Sequence, residues 1–133
     1  MTTTILSNDV LSIEIQDFGA ELHSIKKDDV EYLWQGDPDF WARQAPVLFP
    51  IVGKLKNGSY TYDNETFKLG GHGFARDQVF KLLESEENEA IFELRTSRET
   101  RAGYPFDFRR RNTYKLIGNQ LTVKRKDKNL DDQ

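Results

Sequence analysis

The chain has 133 residues, 19 basic and 22 acidic for a net charge of −3, with no cysteine and only two histidines, His23 and His72. That is the length of one domain, able to bury roughly two thirds of its unfolded surface around nine phenylalanines, five tyrosines and two tryptophans. Disulfide scaffolds, thiolate metal sites and a cysteine nucleophile are excluded; a histidine-rich zinc site is disfavoured, and neither metal nor cofactor is expected.

In chain order, short alternating runs separated by turn residues predict an antiparallel all-β protein. Thr3–Leu6 turns through Asn8-Asp9 into a strand whose Leu11, Ile13 and Ile15 alternate with polar residues. Glu21–Lys26 and Glu31–Trp34 follow across Lys27-Asp28-Asp29. Val47–Val52 is an apolar run interrupted by Pro50, which marks an edge or an irregular stretch. Asn57-Gly58 is the strongest hairpin signal, since both residues tolerate the positive φ of a type I′ turn. It is expected to join Gly53–Lys56 to Ser59–Tyr62, with Asp63-Asn64 turning into Glu65–Leu69. Val79–Leu83, Ala90–Thr96, Phe106–Leu116 and Gln120–Lys126 read as four more strands. Pro38–Arg43 and Ser97–Ala102 are the only helical candidates. A β-sandwich or open curled sheet is expected.

No run approaches the ~18 apolar residues of a membrane span. The first residues lack the basic and apolar regions of a signal peptide, so a cytoplasmic chain without a membrane partner is expected. Charge is uneven. Residues 1–100 carry net −8 and residues 101–133 net +5. Arg109–Arg111 and Lys124–Lys128 read either as the solvated face of a hairpin or as a nucleic-acid patch. The hairpin is the preferred reading, with no nucleic-acid partner.

Chemistry concentrates in Gly70-Gly71-His72-Gly73-Phe74-Ala75-Arg76-Asp77. A strand delivers the chain to glycines that permit unusual backbone geometry, and His72 and Arg76 follow four residues apart. Imidazole bonds a hydroxyl and guanidinium forks across two oxygens, which suits a sugar or an anion. The alternative is a surface loop whose Arg76 and Asp77 make structural pairs. Lys54, beside Gly53 at the end of an apolar run, projects into a cleft or is a solvated strand-end lysine. Trp34, Phe40 and Trp41 offer an aromatic platform or rim packing, and His23 reads as a surface strand residue.

These stretches together resemble the aldose 1-epimerase (galactose mutarotase) family, with the LacX-like and hexose-6-phosphate epimerase branches the closest in likeness. The residues that carry the resemblance are Asp17-Phe18-Gly19-Ala20-Glu21-Leu22, Tyr32-Leu33-Trp34 and Phe40-Trp41. They continue in Leu48-Phe49-Pro50-Ile51-Val52-Gly53-Lys54-Leu55 with Asn57-Gly58, then His72-Gly73-Phe74-Ala75-Arg76 and Tyr104-Pro105-Phe106. The resemblance implies a curled antiparallel β-sandwich of the galactose mutarotase-like type, of which this chain is the N-terminal half. It implies interconversion of sugar anomers, with a base taking the anomeric hydroxyl proton and an acid protonating the ring oxygen.

In that family a histidine acid and a glutamate base lie in the second half, and neither motif occurs here. No catalytic residue is therefore expected in this chain, which alone should be inactive. His72 matches a substrate-binding histidine, and Arg76 matches an arginine near the phosphate of sugar phosphates. Lys54 falls where many members have arginine. The implied partner is a hexose or hexose phosphate. The alternative function is a non-catalytic carbohydrate or sugar-phosphate binding module. Arg125 and Asp127 depart from the family's apolar strand. Half a sandwich should leave a sheet uncovered at Phe106–Leu116, so a homodimer through that region is expected.

Overall fold

The computed structural model describes residues 1–131. Its first sheet is β1 (Thr3–Ser7), β2 (Ser12–Gln16), β3 (Glu21–Lys27) and β4 (Val30–Glu31), antiparallel and in that order. A separate hairpin follows, β5 (Ser59–Tyr62) with β6 (Glu65–Lys68). The second sheet holds β7 (Lys81–Ser85), β8 (Glu89–Arg95), β9 (Phe108–Ile117) and β10 (Gln120–Asn129) in the order β10-β9-β8-β7. One short helix, α1 (Arg98–Gly103), links β8 to β9. No helix among the described residues is long and apolar enough to cross a membrane.

Period-two patterning builds the core. Leu6 on β1, Ile13 and Ile15 on β2 and Leu22 on β3 face Phe92 and Leu94 on β8 and Tyr114 and Leu116 on β9, all buried in one cluster. A fully buried side chain of this size contributes about 1.5–3 kcal/mol. The hydroxyl of Tyr114 donates to the carbonyl of Ala20, tying the second sheet to the first.

Ser97, the first residue of the expected helix, is its cap. Its hydroxyl oxygen accepts from the Thr100 amide at 3.2 Å, and the Thr100 hydroxyl accepts from the Ser97 amide at 2.9 Å. The reciprocal pair satisfies two donors that a helix start leaves open.

Several expectations are corrected. Pro38–Arg43 is turn and bend, not helix. Gly53–Lys56 is not a strand, and Val47–Val52 is the irregular stretch of the two readings offered for it, with a single bridge, Phe49 to Gly73, around a cis Phe49–Pro50 bond. Asn57 and Gly58 do take positive φ, +58° and +69°, but within a 3₁₀ turn at Lys56–Gly58 that leads into β5. The two-residue hairpin turn is Asp63-Asn64, φ +51° and +63°, with Tyr62 paired to Glu65. Asp28-Asp29 repeats those angles between β3 and β4. Asp and Asn reach this region because their short polar side chains bond locally.

β9 does not lack a partner. It pairs with β8 on one side and with β10 on the other over ten residues, and the free edge falls on β10. Phe108, Arg110, Asn112, Tyr114 and Leu116 are all buried on its inner face. Asp127 stands directly opposite Arg110, whose Nη1 lies 3.4 Å from both carboxylate oxygens. The guanidinium also donates from Nε to Asn112 Oδ1 at 3.2 Å and stacks over the Phe49 ring, 5.0 Å from its centroid. A buried cation is tolerable only with such partners.

Candidate functional site

The glycine-rich loop after β6 is held from two directions. On one side lies Phe49, whose carbonyl accepts from the amides of Phe74 and Ala75 at 2.9 and 3.2 Å. Gly73 has φ +75°, and a Cβ there would sit 2.2 Å from the Phe49 oxygen, so no other residue fits. On the other side lies Asp17-Phe18-Gly19. The Gly19 amide donates to Gln78 at 2.7 Å, the Phe80 amide donates to Asp17 at 2.8 Å, and Phe18 bridges Val79. A Cβ on Gly19 would meet the Arg76 carbonyl at 2.9 Å. In the sequence Asp17-Phe18-Gly19 counts only toward the family resemblance; the structure makes it the seat of the loop.

His72 is wedged against Gly53. Its amide donates to the Gly53 carbonyl at 2.8 Å, and its ring Nδ1 accepts from the Gly53 amide at 2.9 Å. A neutral imidazole that accepts at Nδ1 carries its proton on Nε2. That N–H has no protein partner among the described residues. His72 also holds φ +64°, the left-handed region a side chain enters at a cost.

Arg76 and Lys54 close on the same spot. Arg76 Nη2 donates to the Gly71 carbonyl at 3.0 Å, while its buried Nε has no hydrogen-bond partner. The Lys54 side chain lies along Gly71, where a Cβ would meet its Cγ at 3.3 Å and its Cε at 3.6 Å. Three sequence-predicted residues thus converge on the Gly53–Gly71 contact. They present an imidazole N–H, an ammonium and a guanidinium, a set that bonds oxygen-rich and anionic ligands. Asp77 pairs with Arg43 at 3.4 Å and also lies 4.0 Å from Arg76 Nε, so the structural pairing that the sequence offered as the alternative is present beside the convergence. No group of three metal-ligating side chains occurs among the described residues.

The other candidates lie elsewhere. His23 Nε2 lies 3.2 Å from Glu21, whose second oxygen accepts from the Ala45 amide at 2.9 Å. Trp34 packs edge-on to Phe40 and donates from its indole to the Trp41 carbonyl at 2.8 Å, all three exposed. The sequence reading missed a cleft of about 500 Å³ lined by Phe49, Tyr62, Tyr104, Phe106, Phe108 and Asp127, among others. Burial, then Asp127 and Asp131, raise the Tyr104 hydroxyl pKa there. The aromatic spacing of Tyr104, Phe106 and Phe108 was its only sequence signal.

Comparison with known proteins agrees with this architecture. The profile of the family described as aldose 1-epimerase matches residues 2–133. The plasmid-borne protein LacX of Lactococcus lactis subsp. lactis is 37% identical over 97% of this chain, which covers 45% of that protein. A galactose mutarotase related enzyme from Lactobacillus acidophilus superimposes with a TM-score of 0.89 at 42% identity, over 94% of this chain and 44% of its own. A galactose mutarotase-like protein from Lactobacillus casei ATCC 334 gives 0.96 at 33% identity, over 99% and 46%. The chain spans about half the length of these relatives. Its fold is the antiparallel β architecture of the galactose mutarotase-like proteins, and the chain belongs to the aldose 1-epimerase family.

Proposed function

We propose that Lys54, His72 and Arg76 bind a hexose or hexose phosphate in the cytoplasm, as the sugar-holding part of an aldose 1-epimerase. The observation that carries this reading is the convergence of the three side chains on the Gly53–Gly71 contact. Anomer exchange needs a base at the anomeric hydroxyl and an acid at the ring oxygen, with separated pKa values. His72 has Nδ1 engaged by the Gly53 amide, which leaves it a fixed donor rather than a proton shuttle. It orients a hydroxyl oxygen. Arg76 and Lys54 attract a phosphate or further hydroxyls, and the acid and base come from outside these 133 residues.

The test is titration calorimetry with glucose, galactose and their 6-phosphates, alongside NMR of anomer exchange. His72→Ala should weaken binding by about 1–3 kcal/mol, the cost of leaving a polar group unpaired in the complex. The 6-phosphates should bind more tightly than the free sugars, and Arg76→Gln should erase that preference. Exchange should stay at the uncatalysed rate. Equal affinity of the parent chain and His72→Ala would sink the site, and turnover by this chain would sink the assignment of acid and base elsewhere.

A further inference from the structure

Residues 50–54 run between two backbone anchors. On one side the Phe49 carbonyl accepts from the Phe74 and Ala75 amides, and on the other the Gly58 carbonyl accepts from the Leu69 amide at 3.1 Å. Between them, the Gly53–His72 pair supplies every hydrogen bond that residues 50–54 make among the described residues. One bond of that pair is backbone to backbone. The other needs Nδ1 of His72 as an acceptor, and imidazole keeps an acceptor only while it is neutral. Both partners lie within this chain, so the contact does not depend on what else packs on the site.

A proton on Nδ1 would point at the Gly53 N–H. Two donors cannot bond each other, and the Gly53 amide is left without its acceptor. No carboxylate bonds to the ring among the described residues. Lys54 lies along the neighbouring Gly71, and Arg76 donates to the Gly71 carbonyl, so the flanking groups are cations. Asp77 is engaged by Arg43 and lies 4.0 Å from Arg76 Nε, while Asp17, on the segment that seats the loop, accepts from the Thr2 amide at 2.9 Å. Space to move is available. Gly53 has φ +92° with no atom within 4 Å of where a Cβ would stand, and Val52 beside it is 78% exposed. The other histidine responds in the opposite sense: His23 Nε2 lies 3.2 Å from the Glu21 carboxylate, so a proton there strengthens its contact.

We propose that His72 is an acid-sensitive latch: its neutral ring holds residues 50–54, and Lys54 with them, against the glycine-rich loop, and its protonation releases them. Imidazole is the side chain whose charge changes between about pH 5 and 8. The release is local. The anchors at Phe49 and Gly58 are backbone hydrogen bonds with no group that titrates in that range. Once the Gly53 amide lets go, nothing compensates the left-handed backbone of His72, and the residue relaxes out of it. Lys54 leaves Gly71, and the convergence of the three side chains is undone. The consequence for sugar, a site that closes on its ligand at neutral pH and opens in acid, rests on the binding role proposed above; the latch itself does not.

The test is NMR of the nitrogen-15-labelled 133-residue chain, titrated from about pH 7.5 to about pH 5. The Gly53 and His72 amides and the His72 ring nitrogens should move with one midpoint, and the Gly53 amide should lose its protection against hydrogen exchange. Amides of β9 should not move in that step. His72→Asn should abolish the transition, because asparagine enters the left-handed region readily and carries an acceptor that does not protonate. His23→Gln should leave the transition in place. Galactose affinity of the parent chain should fall about tenfold for each pH unit below the midpoint, the limit for one linked proton. The latch is overturned if the Gly53 amide does not titrate with the ring, if H72N keeps the transition, or if β9 moves in the same step. Galactose bound at neither pH would count against the sugar site alone, and the Gly53 titration would still decide the latch.

Discussion

β9 and β10 are neighbours paired over the same ten positions, yet they have opposite fates. On β9 every second side chain from Phe108 to Leu116 is buried, including an arginine and an asparagine. On β10 the residues opposite them, Leu121 to Asn129, are half-buried at best. Pairing supplies backbone hydrogen bonds to both, and only β9 has the first sheet lying over it. Burial is decided by what covers a face. The same difference explains why Arg125 and Asp127 can occupy inward-facing positions on β10, where a covered strand would require apolar residues.

The comparison breaks most visibly through truncation. Leu116→Ala, at 1% exposure, should cost about 2–5 kcal/mol, while Val123→Ala one strand over should cost under about 1 kcal/mol. Urea melts of both variants measure this, and equal costs would mean that β10 is covered in solution.

Next in size is an alkaline effect on β9. Burial is the main cause that pushes the Tyr114 hydroxyl from its ordinary 10.0 up to about 12. The folded state then holds the proton that the unfolded state releases. The associated stability is fully present below pH 10 and is lost as pH rises from about 10 to 12, a change of about 2–3 kcal/mol. Tyr114→Phe should flatten that leg, at the cost of leaving the Ala20 carbonyl without its donor. A parent chain whose stability does not fall over that range would refute the account.

A cross-strand tie on the inner face comes third. Asp127→Asn leaves Arg110 buried without its counter-charge, and should cost about 1–2 kcal/mol because Asp127 is itself half-exposed. Adding Arg110→Met should recover most of the loss; a double variant no better than D127N would show the ion pair is not the cause. The smallest effect lies on the outer face. Burial alone would raise the Glu93 pKa, but hydrogen bonds from Arg95 and Arg111 outweigh it and hold the carboxyl below its ordinary 4.5. Its contribution is present above that value and lost as pH falls through the lowered one. Glu93→Gln should flatten the acid leg by under about 1 kcal/mol, since both arginines are largely solvated.

Where alternation was strict, the sequence could be read directly: Ile13 and Ile15, Ala90–Thr96 and Phe106–Leu116 were read as strands, and strands form there, although the apolar face of Phe106–Leu116 was expected to be uncovered and is buried. The short helix at Ser97–Ala102 was legible because its signal is local, and the structure makes Ser97 its cap. Val47–Val52 was legible only as far as two alternatives, edge or irregular stretch, because an apolar run looks the same whether it pairs as a strand or threads between elements. Asn57-Gly58 misled for a related reason. Its positive φ angles were correct, but turn chemistry fixes angles and not what precedes them. In the candidate site, His72 and Arg76 were proposed from type and spacing. That Lys54 joins them, and that Asp17-Phe18-Gly19 seats the loop, depends on contacts across 17 or more residues that no local pattern carries. The pairing of Arg110 with Asp127 required the β9–β10 register, which turned an apparent break in the core pattern into a partner.

The Tyr114 to Ala20 hydrogen bond spans 94 residues and gives the fold an order in time. Ribosomes add about 5–20 residues each second, so roughly 5–20 seconds separate synthesis of the first sheet from arrival of the strand that covers it. Through that interval Ile13, Ile15 and Leu22 have no β9 to pack against, and the loop that seats His72 emerges before the second sheet exists. Long-range closure of this kind is slow and leaves apolar surface exposed while it waits. Residues 53–76, which carry the candidate site, are thus made after the first sheet and before the strands that cover it.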